Sequence, residues 1–177
     1  GLTRDLSGGA GDFTSLLVEL REYATPAPGV VSAARAQGQS SFGRDSQRYY
    51  LGGWSSIRGY DRRDLSGLQT MLVQGEARFP LLRGLTLAVP ALWTLPTVSG
   101  AVFADAVWTW DRLGLHGTVL DELFGHPADV QAGSVGGSFY IGGGFYPALR
   151  WDYAYRTADF RRFARRPHTQ FRMSYNF

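Results

Sequence analysis

Between Thr169 and Phe177 the chain alternates without a break. Thr169, Phe171, Met173, Tyr175 and Phe177 hold the odd positions, and Gln170, Arg172, Ser174 and Asn176 the even ones. Successive side chains of a strand point to opposite faces, so this segment predicts a strand with one apolar, aromatic face and one polar face. Residues 148–157 repeat the pattern, with Leu149, Trp151, Tyr153 and Tyr155 opposite Arg150, Asp152, Ala154 and Arg156. Charge on one face and bulky aromatics on the other do not suit a strand buried in a sandwich. They suit a barrel that crosses a bilayer in about 9–11 residues per strand, with lipid outside and a polar lumen inside.

The same period predicts about seven strands, near residues 14–24, 30–42, 68–80, 97–110, 136–146, 148–157 and 168–177. In one, Met71, Val73, Ala77 and Phe79 oppose Thr70, Gln74, Glu76 and Arg78; in another, Val102, Ala104, Ala106, Trp108 and Trp110 oppose Phe103, Asp105, Val107 and Thr109. Short links at 25–29 and around Pro147 alternate with long polar links at 43–66, 111–134 and 159–167, as turns on one rim and loops on the other would. The apolar link at 81–96, with Pro90 and Pro96, breaks that rhythm and reads as a rim segment. The fold class expected is all-β, an antiparallel transmembrane β-barrel.

No stretch approaches the roughly 18 apolar residues of a membrane helix, which leaves a barrel untouched because its strands carry a weaker signal. The absence of cysteine excludes a disulfide scaffold and a zinc–thiolate site. All 18 basic residues are arginine and the net charge is only +3. The aromatics alternate within strands instead of flanking the arginines, so no nucleic-acid partner is expected. His116, His126 and His168 lack metal-ligand spacing, and Asp121 and Glu122 beside His126 form at most a weak cation site; no metal or other cofactor is expected. No nucleophile-elbow, zinc-protease or phosphate-loop pattern is present, and Gly142–Gly144 precedes no helix. Ser174 and His168 fall on the lumen-facing set, which argues against a lipid-acting enzyme.

The most specific string is Leu51-Gly52-Gly53-Trp54-Ser55-Ser56-Ile57-Arg58-Gly59-Tyr60. It resembles the inward-folding loop signature of the BamA/TamA and two-partner-secretion outer-membrane superfamily, the bacterial surface antigen family. Gly75-Glu76-Ala77-Arg78-Phe79-Pro80-Leu81 and Phe103-Ala104-Asp105-Ala106-Val107-Trp108 resemble two strand motifs that follow in that family, and the final Phe177 matches its usual ending. The resemblance covers roughly residues 13–177. It implies a sixteen-stranded barrel of which this is the carboxy-terminal part, with the amino-terminal strands and any periplasmic domain lying before Gly1. It places the chain in the bacterial outer membrane, among its lipids and lipopolysaccharide.

By the same resemblance the long loop enters the barrel and its arginine meets acidic residues on the wall. Glu76 and Asp105 already fall on the polar faces of their strands, and a guanidinium can bind them in the planar, bidentate way that lysine cannot. Arg58 is therefore expected to pair with Asp105, with Glu76 as second partner. Gly59 would let the loop turn beside Arg58 and Tyr60, and Gly52 and Gly53 would let its backbone approach the wall. Two residues depart from the family pattern: Val107 replaces a glycine that permits close loop–wall packing, and Ser174 replaces a glycine linked to kinking of the last strand.

The function implied is assembly or translocation of an unfolded polypeptide client by pairing at a seam beside the last strand, marked by Phe171, Met173, Tyr175 and Phe177. The alternative is a structural barrel that anchors or displays another domain. Arg161, Arg162, Arg165 and Arg166 sit in the last outer loop, where lipopolysaccharide phosphates are a candidate contact.

Overall fold

The structure is a computed structural model that describes residues 2–4, 13–53, 55–82, 86–88, 92–94, 98–111, 128–143 and 146–174. It is all-β, with no helix among the described residues. Twelve strands run in chain order: β1 (Leu2–Arg4), β2 (Phe13–Ala27), β3 (Val30–Gly43), β4 (Tyr49–Leu51), β5 (Leu65–Gly67), β6 (Gln69–Leu82), β7 (Thr86–Ala88), β8 (Leu92–Thr94), β9 (Val98–Trp110), β10 (Val130–Gly143), β11 (Tyr146–Thr157) and β12 (His168–Ser174). Eight of them form one antiparallel sheet in the order β1-β2-β3-β6-β9-β10-β11-β12. The sheet is open, with β1 and β12 as its edges.

The seven expected strands are present, and β1 adds an eighth that is too short to show a period. β10 begins at Val130, six residues before the expected 136, so the expected link at 111–134 is shorter than its sequence suggested. Two links hold small hairpins: β4 pairs with β5 within 43–66, and β7 with β8 within 81–96. Tyr175 and Phe177, like His116, Asp121, Glu122, His126, Trp54 and Gly144, lie outside the described residues.

The registers place residues of like facing in rows across the sheet. Ala36, Val73, Ala106 and Gly133 are successive cross-strand neighbours on one face, as are Ala34, Gly75, Ala104, Val135 and Tyr155. Phe79, Gly100, Phe139, Trp151 and Phe171 form a further row, in which the Trp151 and Phe171 rings meet edge to face at 5.9 Å. From β3 to β12 this face carries no charged side chain among the described residues. It is nonetheless open: Val102, Phe139, Trp151, Phe171 and Met173 are all exposed. The charged residues of these strands (Arg35, Glu76, Arg78, Asp105, Arg150, Asp152, Arg156, His168 and Arg172) all stand on the other face.

That charged face is covered by the link between β3 and β6. Ile57, on the link, is fully buried with Leu51, Leu72, Val107 and Ala132, and Tyr60 and Leu65 pack on this cluster. The core thus lies between loop and sheet. Trp110 is an outward-parity residue that is nonetheless buried: only 7% exposed, it lines an apolar groove of about 250 Å³ with Leu16, Phe42 and Met71.

Candidate functional site

The loop turns back at Gly52, whose φ is +131° and whose missing side chain makes room for the carbonyl of Asp61. The Ser56 hydroxyl accepts from the Gly52 amide at 2.7 Å and donates to the Gly52 carbonyl at 3.0 Å, while the Gly53 amide donates to Tyr60 O at 2.8 Å. These bonds close a compact Ω-shaped segment whose tip carries Ile57, Arg58, Gly59 and Tyr60.

Arg58 is 3% exposed and reaches two strands. Its Nε donates to Asp105 Oδ2 at 2.8 Å and its Nη2 to Asp105 Oδ1 at 2.5 Å, a bidentate fork; its own amide donates to Asp105 Oδ2 at 2.9 Å. Nη1 donates to Glu76 Oε2. The guanidinium also lies 3.8 Å from the centre of the Phe103 ring, so its face is covered as well as its edge. Burial alone would lower the Arg58 pKa, but the bonds to Asp105 and the charge of Glu76 outweigh it and hold it above its ordinary value. Asp105 thus takes three of the four bonds.

Glu76 is shared. Arg78 Nε donates to its Oε1, the Tyr140 hydroxyl donates to the same oxygen at 3.0 Å, and Arg150 Nη2 stands 3.6 Å from Oε2. Beside this cluster lies a polar cavity of about 510 Å³ lined by Arg21, Arg35, Gln74, Arg78 and Arg150. Two further wall residues hold the loop backbone: Arg35 Nη1 donates to Ser55 O at 3.3 Å, and Gln74 Nε2 donates to Ser56 O.

Past Arg58 the loop crosses to the last strands. The Tyr60 hydroxyl donates to Thr157 O on β11 at 2.9 Å and lies 3.3 Å from Gly133 O on β10. Burial raises its pKa above the ordinary tyrosine value, against the opposing pull of Arg156. Tyr60 O accepts from Gln170 Nε2 on β12 at 2.9 Å. Asp61 lies 3.5 Å from both Arg156 Nη2 and His168 Nε2, and Arg156 Nη2 stands 2.6 Å from His168 Nδ1.

The structure therefore brings Arg58, Glu76 and Asp105 together, with Gly59 against Ala154 of the sheet; Gly52 and Gly53, expected to bring the backbone to the wall, instead face the loop's own backbone at Asp61, Arg62 and Arg63. Sequence reasoning missed Phe103, Tyr140, Arg150 and Gln170, though all four fall on the polar-facing set. Val107 packs in the same buried cluster as Ile57, so the loop is docked there through an apolar contact. Phe171 and Met173 are exposed on the edge strand, and Arg161, Arg162, Arg165 and Arg166 are exposed on the turn between β11 and β12. Among the described residues no three His, Cys, Asp or Glu side chains converge as a metal site. No family model matches the sequence, and no curated protein or solved structure is significantly similar to it.

Proposed function

We propose that the chain is the carboxy-terminal part of an outer-membrane barrel similar to the BamA/TamA type, which inserts or translocates polypeptides by strand-edge pairing beside β12. The observation that carries the membrane reading is the division of charge. From β3 to β12 every charged strand residue stands on the loop side, and the opposite face is largely apolar, largely open and free of charge among the described residues, with Glu22 on β2 the charge at its end. An exposed apolar surface of that extent marks contact with lipid or another partner.

Two rows with aromatics bound this face, one at Trp108 and one at the level of Gly100. They lie about 26 Å apart along β9 at about 3.3 Å per residue, which at a strand tilt of about 35–45° spans about 20 Å of the ~25 Å apolar band of outer-membrane barrels. The docked loop then occupies the lumen and braces the wall, and β12 is the edge offered to a client strand. Closure of the open sheet calls for further strands.

Depletion of the protein followed by outer-membrane profiling tests the function. Loss of many barrel proteins is the expected result for an assembly factor, and loss of a single exported protein marks a dedicated secretor. The second reading, a barrel that anchors another domain, is favoured by the bond from Gln170 to Tyr60, which ties the edge strand to the loop. It predicts no loss of other proteins on depletion.

A further inference from the structure

The turn between β11 and β12 is built, not merely exposed. Thr157 Oγ1 lies 3.2 Å from Asp159 Oδ1, and that same oxygen accepts the amides of Arg161 and Arg162, each at 2.9 Å. The Ala164 amide donates to Arg156 O at 2.8 Å, and Thr157 and Phe163 form a bridge. Within this frame Phe160 takes φ +56°, a backbone conformation rare for a bulky residue. The outcome is that its ring folds over the apolar face. It lies on Gly133, where any Cβ would come within 2.5 Å of it, and its centre is 5.5 Å from that of Trp108.

Arg161, Arg162, Arg165 and Arg166 stand on the same turn, exposed, and their guanidinium groups make no ion pair or side-chain hydrogen bond among the described residues. The one acidic side chain of the turn, Asp159, is occupied by backbone amides. Phe163 beside them is 46% exposed. An apolar ring is thus seated on a face free of charge from β3 to β12, and the same turn carries four exposed arginines, of which Arg161 alone feels the charge of Asp159; that is the pairing a bilayer surface takes, hydrocarbon beside phosphate.

We propose that this turn binds the phosphomonoester groups of anionic membrane lipids, with Phe160 and Phe163 entering the apolar layer and the four arginines contacting those phosphates above it. The inference rests on the membrane reading. It assigns the turn a lipid, not a protein or a free anion, because on that reading the face under the Phe160 ring meets hydrocarbon and the exposed arginines share its turn.

The chain has no cysteine, so a single Ala164→Cys variant can carry an environment-sensitive dye with both phenyl rings kept. The protein is placed in nanodiscs of phosphatidylcholine alone, of phosphatidylcholine with diphosphorylated lipid A, or of the same lipid with its phosphates removed. The largest blue shift is expected with the phosphorylated lipid, because the phosphate of phosphatidylcholine is offset by its own choline cation. The R161Q/R162Q/R165Q/R166Q variant should need at least about tenfold more of it for the same shift, and Phe160→Ala should shrink the shift. Equal shifts in all three nanodiscs, no effect of the arginine substitutions, or the same shift from inorganic phosphate or an acidic peptide in neutral nanodiscs would overturn the proposal. A second dye at Val102→Cys separates the two readings. If it reports lipid while the turn does not discriminate, the clamp alone is wrong; if it reports water in every nanodisc, the membrane reading fails and the clamp with it.

Discussion

Gly59 lies so close to Ala154 that a Cβ on the glycine would stand 2.6 Å from the Cβ of the alanine. Its φ of +88° is likewise one that side chains rarely adopt. Gly59→Ala therefore meets both a clash and backbone strain, together about 1–3 kcal/mol. The expected outcome is a loop that opens to protease while the sheet still migrates as a folded, heat-modifiable species.

Arg58 and Asp105 should behave as a coupled pair. Arg58→Ala leaves Asp105 buried and without its fork, and truncation of one member of a buried pair costs about 3–5 kcal/mol, less where water reaches the site. Arg58→Lys should rescue little, because an ammonium cannot make the bidentate contact. A double-mutant cycle with Asp105→Asn, read by urea unfolding, should show a coupling of about 1–3 kcal/mol; additive losses would remove the latch.

Ile57 and Val107 test whether the loop is held to the sheet by apolar packing. Both are fully buried in one cluster. Ile57→Ala should cost about 2–5 kcal/mol, and Val107→Gly should likewise weaken docking. Protease half-life of the loop reads both.

The facing of the strands was legible in the sequence because period two needs nothing beyond local geometry, and Glu76 and Asp105 followed from it. The start of β10 was not, since Gln131, Ala132, Gly133, Ser134 and Gly136 are too small or too polar to show an alternation. Their strand exists because β9 and β11 pair with it on both sides. Phe160 was also out of reach: its position depends on a positive φ and on the gap above Gly133, which are tertiary facts. Gln170 lay on the expected face, but only the loop's path across β10 and β11 brings Tyr60 O to it.

Alkali should loosen the loop through Tyr60. Its folded pKa is raised, so the stabilisation is fully present below the unfolded value of about 10 and is lost as pH rises through the higher folded value. Loop proteolysis should increase across that window. Tyr60→Phe should remove the step and cost about 1 kcal/mol at neutral pH for the bond to Thr157 O.

Ala104 lies on the charge-free face midway between the row at Trp108 and the row at Gly100, and it is exposed. On a face that meets water, Ala104→Arg would change stability by no more than about 0.5 kcal/mol. On one that meets a bilayer it should cost about 2–4 kcal/mol. Reversible unfolding from lipid vesicles distinguishes the two.

The loop between β3 and β6 binds residues that come much later in the chain: Asp105 on β9, Thr157 on β11 and Gln170 on β12. Its docked form cannot exist until those strands have been paired, since each contact closes a long stretch of chain. Docking is therefore a late event in folding. A loop that resists protease reports that the last strand has arrived, which makes Arg58 a marker of completion as well as a brace.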